Sequence, residues 1–122
     1  MQGKRLVRVN QLIKEEISLV VQRQLKDPRL GFVTVTEVDT TPDLKHAKVF
    51  VSVLGPDAQW AASFKALESA RGFVWSWLRR HLDLRVTPEI MFRPDRSMEH
   101  AAHIQARLAD LKKSEASSES EE

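Results

Sequence analysis

Two stretches of alternating apolar and polar residues, 32–38 and 46–54, constrain this chain more than any other feature. In the first, Val33, Val35 and Glu37 oppose Phe32, Thr34, Thr36 and Val38; in the second, Ala47, Val49, Val51 and Val53 oppose Lys48, Phe50, Ser52 and Leu54. A period of two puts one set on each face of a strand, and β-branched side chains suit a pleated surface. Between the runs, Thr40, Thr41, Pro42 and Asp43 supply turn chemistry, proline by fixing φ and aspartate by bonding its own backbone. The expectation is an antiparallel hairpin with an apolar face that other elements must cover.

The covering elements are legible on both sides of it. Leu6, Val9, Ile13, Ile17 and Val20 recur at the spacing of one helical face over 5–26. That helix should stop near Lys26, because Pro28 disfavours helical geometry at Asp27. Gly55 and Pro56 break the second strand, and Asp57 is the expected N-cap of a helical region reaching Leu82, with the stripe Trp60, Phe64, Leu67, Val74 and Leu78. An unbroken helix would put Arg71 on that stripe, yet a guanidinium is almost never fully buried without a partner. The next residue is Gly72, and glycine weakens a helix interior. A break across Ala70, Arg71 and Gly72 that turns Arg71 outward resolves the conflict and leaves a cationic, side-chain-poor corner that a phosphate backbone can approach. Residues 87–93 read as a third strand bounded by Pro88 and Pro94, and Ser97 caps a last helix with the apolar face Ala101, Ile104, Leu108 and Leu111. The fold class is α+β, a three-stranded sheet covered by helices.

Length suits one domain, residues 1–113, followed by a Ser/Glu-rich tail, 114–122, expected to be disordered. Four of the 17 acidic residues lie in that tail, so the formal charge of +2 for the chain becomes +6 over residues 1–113. Such a surface suits an anionic partner. The absence of cysteine excludes disulfides, thiolate metal sites and thiol nucleophiles. No signal peptide or membrane span fits, and a cytoplasmic monomer is expected. His100 and His103, beside Glu99, lie opposite the apolar face of the last helix and read as a solvated surface, not a metal site. No nucleophile with an adjacent base is visible and no phosphate loop, so neither catalytic residue, metal nor cofactor is expected.

With the elements placed, four motifs in order carry a family resemblance: Asp-Pro-Arg-Leu-Gly-Phe at 27–32, the strand 33–38, Asp-Leu-Lys-His-Ala-Lys-Val-Phe-Val-Ser at 43–52, and 87–92. Together with Ala70, Arg71, Gly72 and Phe73 and the approach 85–89, they closely resemble the ribosome-binding factor A family over residues 5–104. The resemblance implies a type-II KH-like domain in the order α-β-β-α(kink)α-β-α, with an Ala-x-Gly kink in place of the Gly-x-x-Gly turn. It also implies a non-enzymatic ribosome biogenesis factor that binds the immature 30S subunit and 16S rRNA, assists late maturation including 5′-end processing, and serves cold adaptation. Ribosomal proteins and other assembly factors are further candidate partners. One departure stands out: relatives carry arginine three residues after the kink glycine, where this chain has Trp75.

The candidate RNA-binding residues fall into three groups. Lys4, Arg5 and Arg8 start the first helix; Lys26 and Arg29 end it; Arg71, Arg79, Arg80 and Arg85 surround the kink formed with Ala70 and Gly72. Trp75 joins them as an indole able to stack on a base. The alternative function is a protein-interaction adaptor that binds through Trp75 and the apolar helix edges, its basic charge incidental.

Overall fold

In a computed structural model describing residues 3–120, with side chains described through Lys113, the chain runs α1 (Lys4–Leu19), a π-helical turn (Val20–Gln24), β1 (Phe32–Thr40), β2 (His46–Leu54), α2 (Asp57–Ser69), α3 (Arg71–His81), β3 (Glu89–Pro94) and α4 (Ser97–Ser120). The fold is α+β, in the expected order. One sheet in the order β1-β2-β3 pairs β1 antiparallel to β2 and β2 parallel to β3. Parallel pairing requires a crossover, and α2 with α3 provides it across one face of the sheet.

The first helix follows the expected stripe, burying Leu6, Val9, Ile13 and Ile17. Its last turn widens to π geometry, with Leu25 N–H reaching the Val20 carbonyl at 3.0 Å. That extra residue per turn lets two consecutive valines, Val20 and Val21, face the core. In β2 the alternation holds, and Ala47, Val49, Val51 and Val53 are all buried. In β1 it slips. Val35 pairs with Val51 and Glu37 with Phe50, so Thr36 is an extra residue in a β-bulge. Beyond the bulge Val38 and Thr40 turn inward, on the side of Val35, where strict alternation had set Val38 opposite Val35. Thr36 Oγ1 lies 2.6 Å from Asp95 Oδ2, and Asp95 Oδ1 accepts from Ser97 N–H at the start of α4. These hydrogen bonds to Ser97 and Thr36 hold the Asp95 carboxyl below its ordinary value. Ile90 and Phe92 of β3 complete the inner face, which packs on Ile13, Ile17, Trp60, Leu67, Val74 and Leu78.

The helical break is tighter than expected. It falls on Ala70 alone, at φ −91° and ψ −1°, and Arg71 and Gly72 are already helical in α3. A side chain at Gly72 would meet nothing within 4 Å. Gly72→Ala is therefore expected to raise stability by about 0.5–1 kcal/mol, through helix propensity and a less flexible unfolded chain. A thermal melt checks it, and a lower melting temperature would count against this account of the bend. Gly55 is different: its φ of +140° is a turn conformation closed to other residues. Asp57, expected as an N-cap, is instead the first helical residue, after Pro56.

The last helix departs furthest from expectation. Every described side chain of α4 is exposed, including Met98, Ile104, Leu108 and Leu111, so its apolar face covers no part of the sheet. Its backbone continues helically to Ser120, past the boundary that composition set at Ser114, because residues 97–120 contain no glycine or proline to stop it. Glu121 and Glu122, the end of the expected disordered tail, lie outside the described residues.

Candidate nucleic-acid interface

Ser63 builds the kink face from beneath. Its hydroxyl is fully buried in α2, accepts from Gly31 N–H at 3.1 Å, and is met by Gln59 Nε2 at 3.1 Å. Gln59 Nε2 also donates to the Arg29 carbonyl at 3.2 Å. A Cβ on Gly31 would stand 2.5 Å from that nitrogen, so a larger residue would push the Gln59 side chain off its bonds to Ser63 and Arg29. The result carries Lys26 and Arg29 to the break. With Pro28, Ser69, Ala70 and Phe73 they line a shallow open cavity of about 600 Å³. The groups from the end of α1 and from the kink, separate in sequence, thus form one surface.

Its arginines are not free. Arg29 is bound by Asp27 at 2.7 Å and donates to Ser69 Oγ at 3.2 Å. The side-chain hydrogen bond from Arg29 holds the Asp27 carboxyl below its ordinary value. Arg71 reaches Glu68 at 3.2 Å and Glu89, on β3, at 3.6 Å. The break does turn Arg71 outward, its side chain 40% exposed, but it delivers the guanidinium to two carboxylates. Partly exposed pairs of this kind contribute little to stability, but they do reduce the local positive potential.

Trp75 is pinned as well. Its indole N–H points to the Thr87 carbonyl at 3.3 Å, and the Arg79 guanidinium lies 5.5 Å from its ring centre. Arg80 folds back toward the Ser76 carbonyl at 3.3 Å. Neither Arg79 nor Arg80 has an acidic partner among the described residues. Trp77, by contrast, is structural. It donates to Glu16 on α1 at 2.8 Å and stacks on His81 at 3.8 Å between ring centres.

Arg85 leaves the kink group altogether. It joins Arg5 around a second cavity of about 640 Å³, between the start of α1, the β1–β2 turn and the α3–β3 connection. Lys4 and Arg8 stand exposed on the same helix, without acidic partners among the described residues. The residue that sequence reasoning missed is Phe73, which is 42% exposed beside the kink and the cations of the 25–29 loop. A signal existed: Phe73 falls just off the Leu67, Val74, Leu78 stripe, where a large aromatic has no core to fill. Among the described residues no group of three or more His, Asp or Glu could hold a metal ion, and no helix is long and apolar enough to cross a membrane.

The surface therefore offers guanidinium and ammonium donors, an open backbone corner and one exposed aromatic face, which together suit phosphate and base. The family model described as ribosome-binding factor A matches residues 5–108. A ribosome-binding factor A of Desulfitobacterium hafniense is 47% identical over 114 residues, covering 93% of this chain and 91% of that one. One from Thermomicrobium roseum is 47% identical over 104 residues, covering 85% and 80%. The crystal structure of ribosome-binding factor A from Thermus thermophilus superposes with a TM-score of 0.66 at 25% identity, covering 76% of this chain and 97% of that one. A homology model of the Thermus protein, fitted into the cryo-EM map of its 30S complex, matches at a TM-score of 0.61 and 26% identity, covering 71% and 91%. With the family model spanning most of its length and relatives near half identity, this chain belongs to the ribosome-binding factor A family.

Proposed function

We propose that this protein binds the immature 30S subunit through 16S rRNA, using the kink face, and assists late maturation without catalysing a step. The observation that carries the reading is the convergence of Lys26 and Phe73 on the Ala70 break, in a fold whose Thermus relative has been fitted into a 30S complex. Phosphates would meet Lys26, Arg79 and Arg80, and the open corner at Ala70 and Gly72 would let the backbone approach. Support for 5′-end processing of 16S rRNA, for cold adaptation and for a cytoplasmic site of action comes from the family resemblance alone. Holding RNA in one conformation is the mode of action the surface suits, since it presents donors and a stacking face.

Co-sedimentation with purified 30S subunits tests the reading. Arg79→Gln/Arg80→Gln removes two exposed cations that have no acidic partner among the described residues and should weaken binding about tenfold at low salt. Binding equal to wild type would overturn the kink-side helix as the contact. Binding insensitive to salt would instead favour the adaptor reading, with the exposed face of α4 as the contact in place of the pinned Trp75.

A further inference from the structure

We propose that the cavity beside the start of α1 holds one unpaired nucleotide of single-stranded RNA, its phosphate between Arg5 and Arg85 and its base against Leu6, Leu44 and Val86. The inference rests on the small-subunit reading above and adds a second contact with a defined ligand. Arg5 and Arg85 come from distant parts of the chain, line the same cavity, and have no acidic partner among the described residues. Asp43 also stands on the rim, where its Oδ1 accepts from Thr41 Oγ1 at 2.6 Å and from Lys45 N–H at 3.0 Å. Those bonds hold its carboxyl below the ordinary value, so it stays ionised and can accept from a base amino group. The floor is apolar. Leu44 is presented to it by a left-handed backbone, φ 62°, and such conformations in residues other than glycine cluster at binding sites.

The volume of about 640 Å³ lies within the range of small-ligand sites, about 300–1,000 Å³. The chemistry selects among occupants. Two guanidiniums match the several acceptor oxygens of one phosphate, whereas a peptide offers them only single carbonyls, and a flat base needs apolar contact beyond the amino group that Asp43 can take. A base inside a duplex does not expose that face. The ligand is therefore single-stranded.

The test follows the backbone amides of the full-length protein by NMR during titration with a single-stranded RNA of about five nucleotides, and with the same sequence locked in a duplex. The expected result is movement of the Leu6, Leu44 and Val86 amides with the single strand and not with the duplex. Arg5→Gln/Arg85→Gln should weaken single-strand binding about tenfold. Val86→Asp, at a position 37% exposed, should do the same while leaving the fold intact. Silent cavity amides, or a double variant that binds like wild type, would overturn the proposal. The two readings fail separately: if wild type does not sediment with 30S subunits, the subunit reading falls, while the amide map still decides the cavity.

Discussion

Trp60→Ala is expected to lower the unfolding free energy by about 3–5 kcal/mol, a large share of the roughly 5–15 kcal/mol that holds an ordinary domain folded. Trp60 is 4% exposed, stacked parallel to Phe64 at 6.3 Å, and covered by the Arg96 guanidinium at 4.1 Å from its ring centre. Arg96 in turn binds Asp57 at 3.0 Å and Glu99 at 3.0 Å, so the same ring fastens the start of α4 to the start of α2. Removing it opens a cavity in the core and detaches that joint together. Urea unfolding followed by circular dichroism measures the loss. Phe32→Ala is the control: that ring is 80% exposed on the uncovered sheet face, and the change should fall within about 0.5 kcal/mol. A Trp60 variant as stable as the control would mean that α2 does not pack on the sheet as described.

Affinity for small subunits should fall about a thousandfold between roughly 50 and 200 mM salt, the dependence expected when about six phosphates are neutralised. Lys26, Arg79, Arg80, Arg5 and Arg85, with Lys4 or Arg8, supply that number of cations without ion pairs among the described residues. Arg29 and Arg71 are excluded because their guanidiniums already face carboxylates. Glu68→Gln/Glu89→Gln frees the Arg71 guanidinium and removes two negative charges from the kink, so it should tighten binding and steepen the salt slope. Sedimentation across a salt series reads both effects. A flat series would count against RNA phosphate as the main contact.

The two outcomes draw on different kinds of information. Core positions such as Ile13, Ile17, Ala47, Val49, Leu67 and Val74 announce themselves by local period, because burial of one face is what a repeating apolar pattern encodes. The bulge at Thr36 does not. Whether β1 slips depends on pairing with β2 and on the Asp95 bond to Thr36, neither of which is local. The exposed face of α4 shows the reverse failure: an apolar stripe was present, but Ile104, Leu108 and Leu111 stay exposed and no described element covers them.

The site divides the same way. Sequence alone determined the element order, the helical break near Arg71 and the supply of cations, since all three follow from local spacing, steric preference and charge. Only the tertiary structure decided which cations are available. It set Arg71 against Glu89, joined Arg29 to Ser69 beside the kink, and brought Arg5 to Arg85 across one cavity. An ion pair or a shared cavity is a matter of a few ångströms between residues far apart in the chain, and periodicity carries no information on such distances.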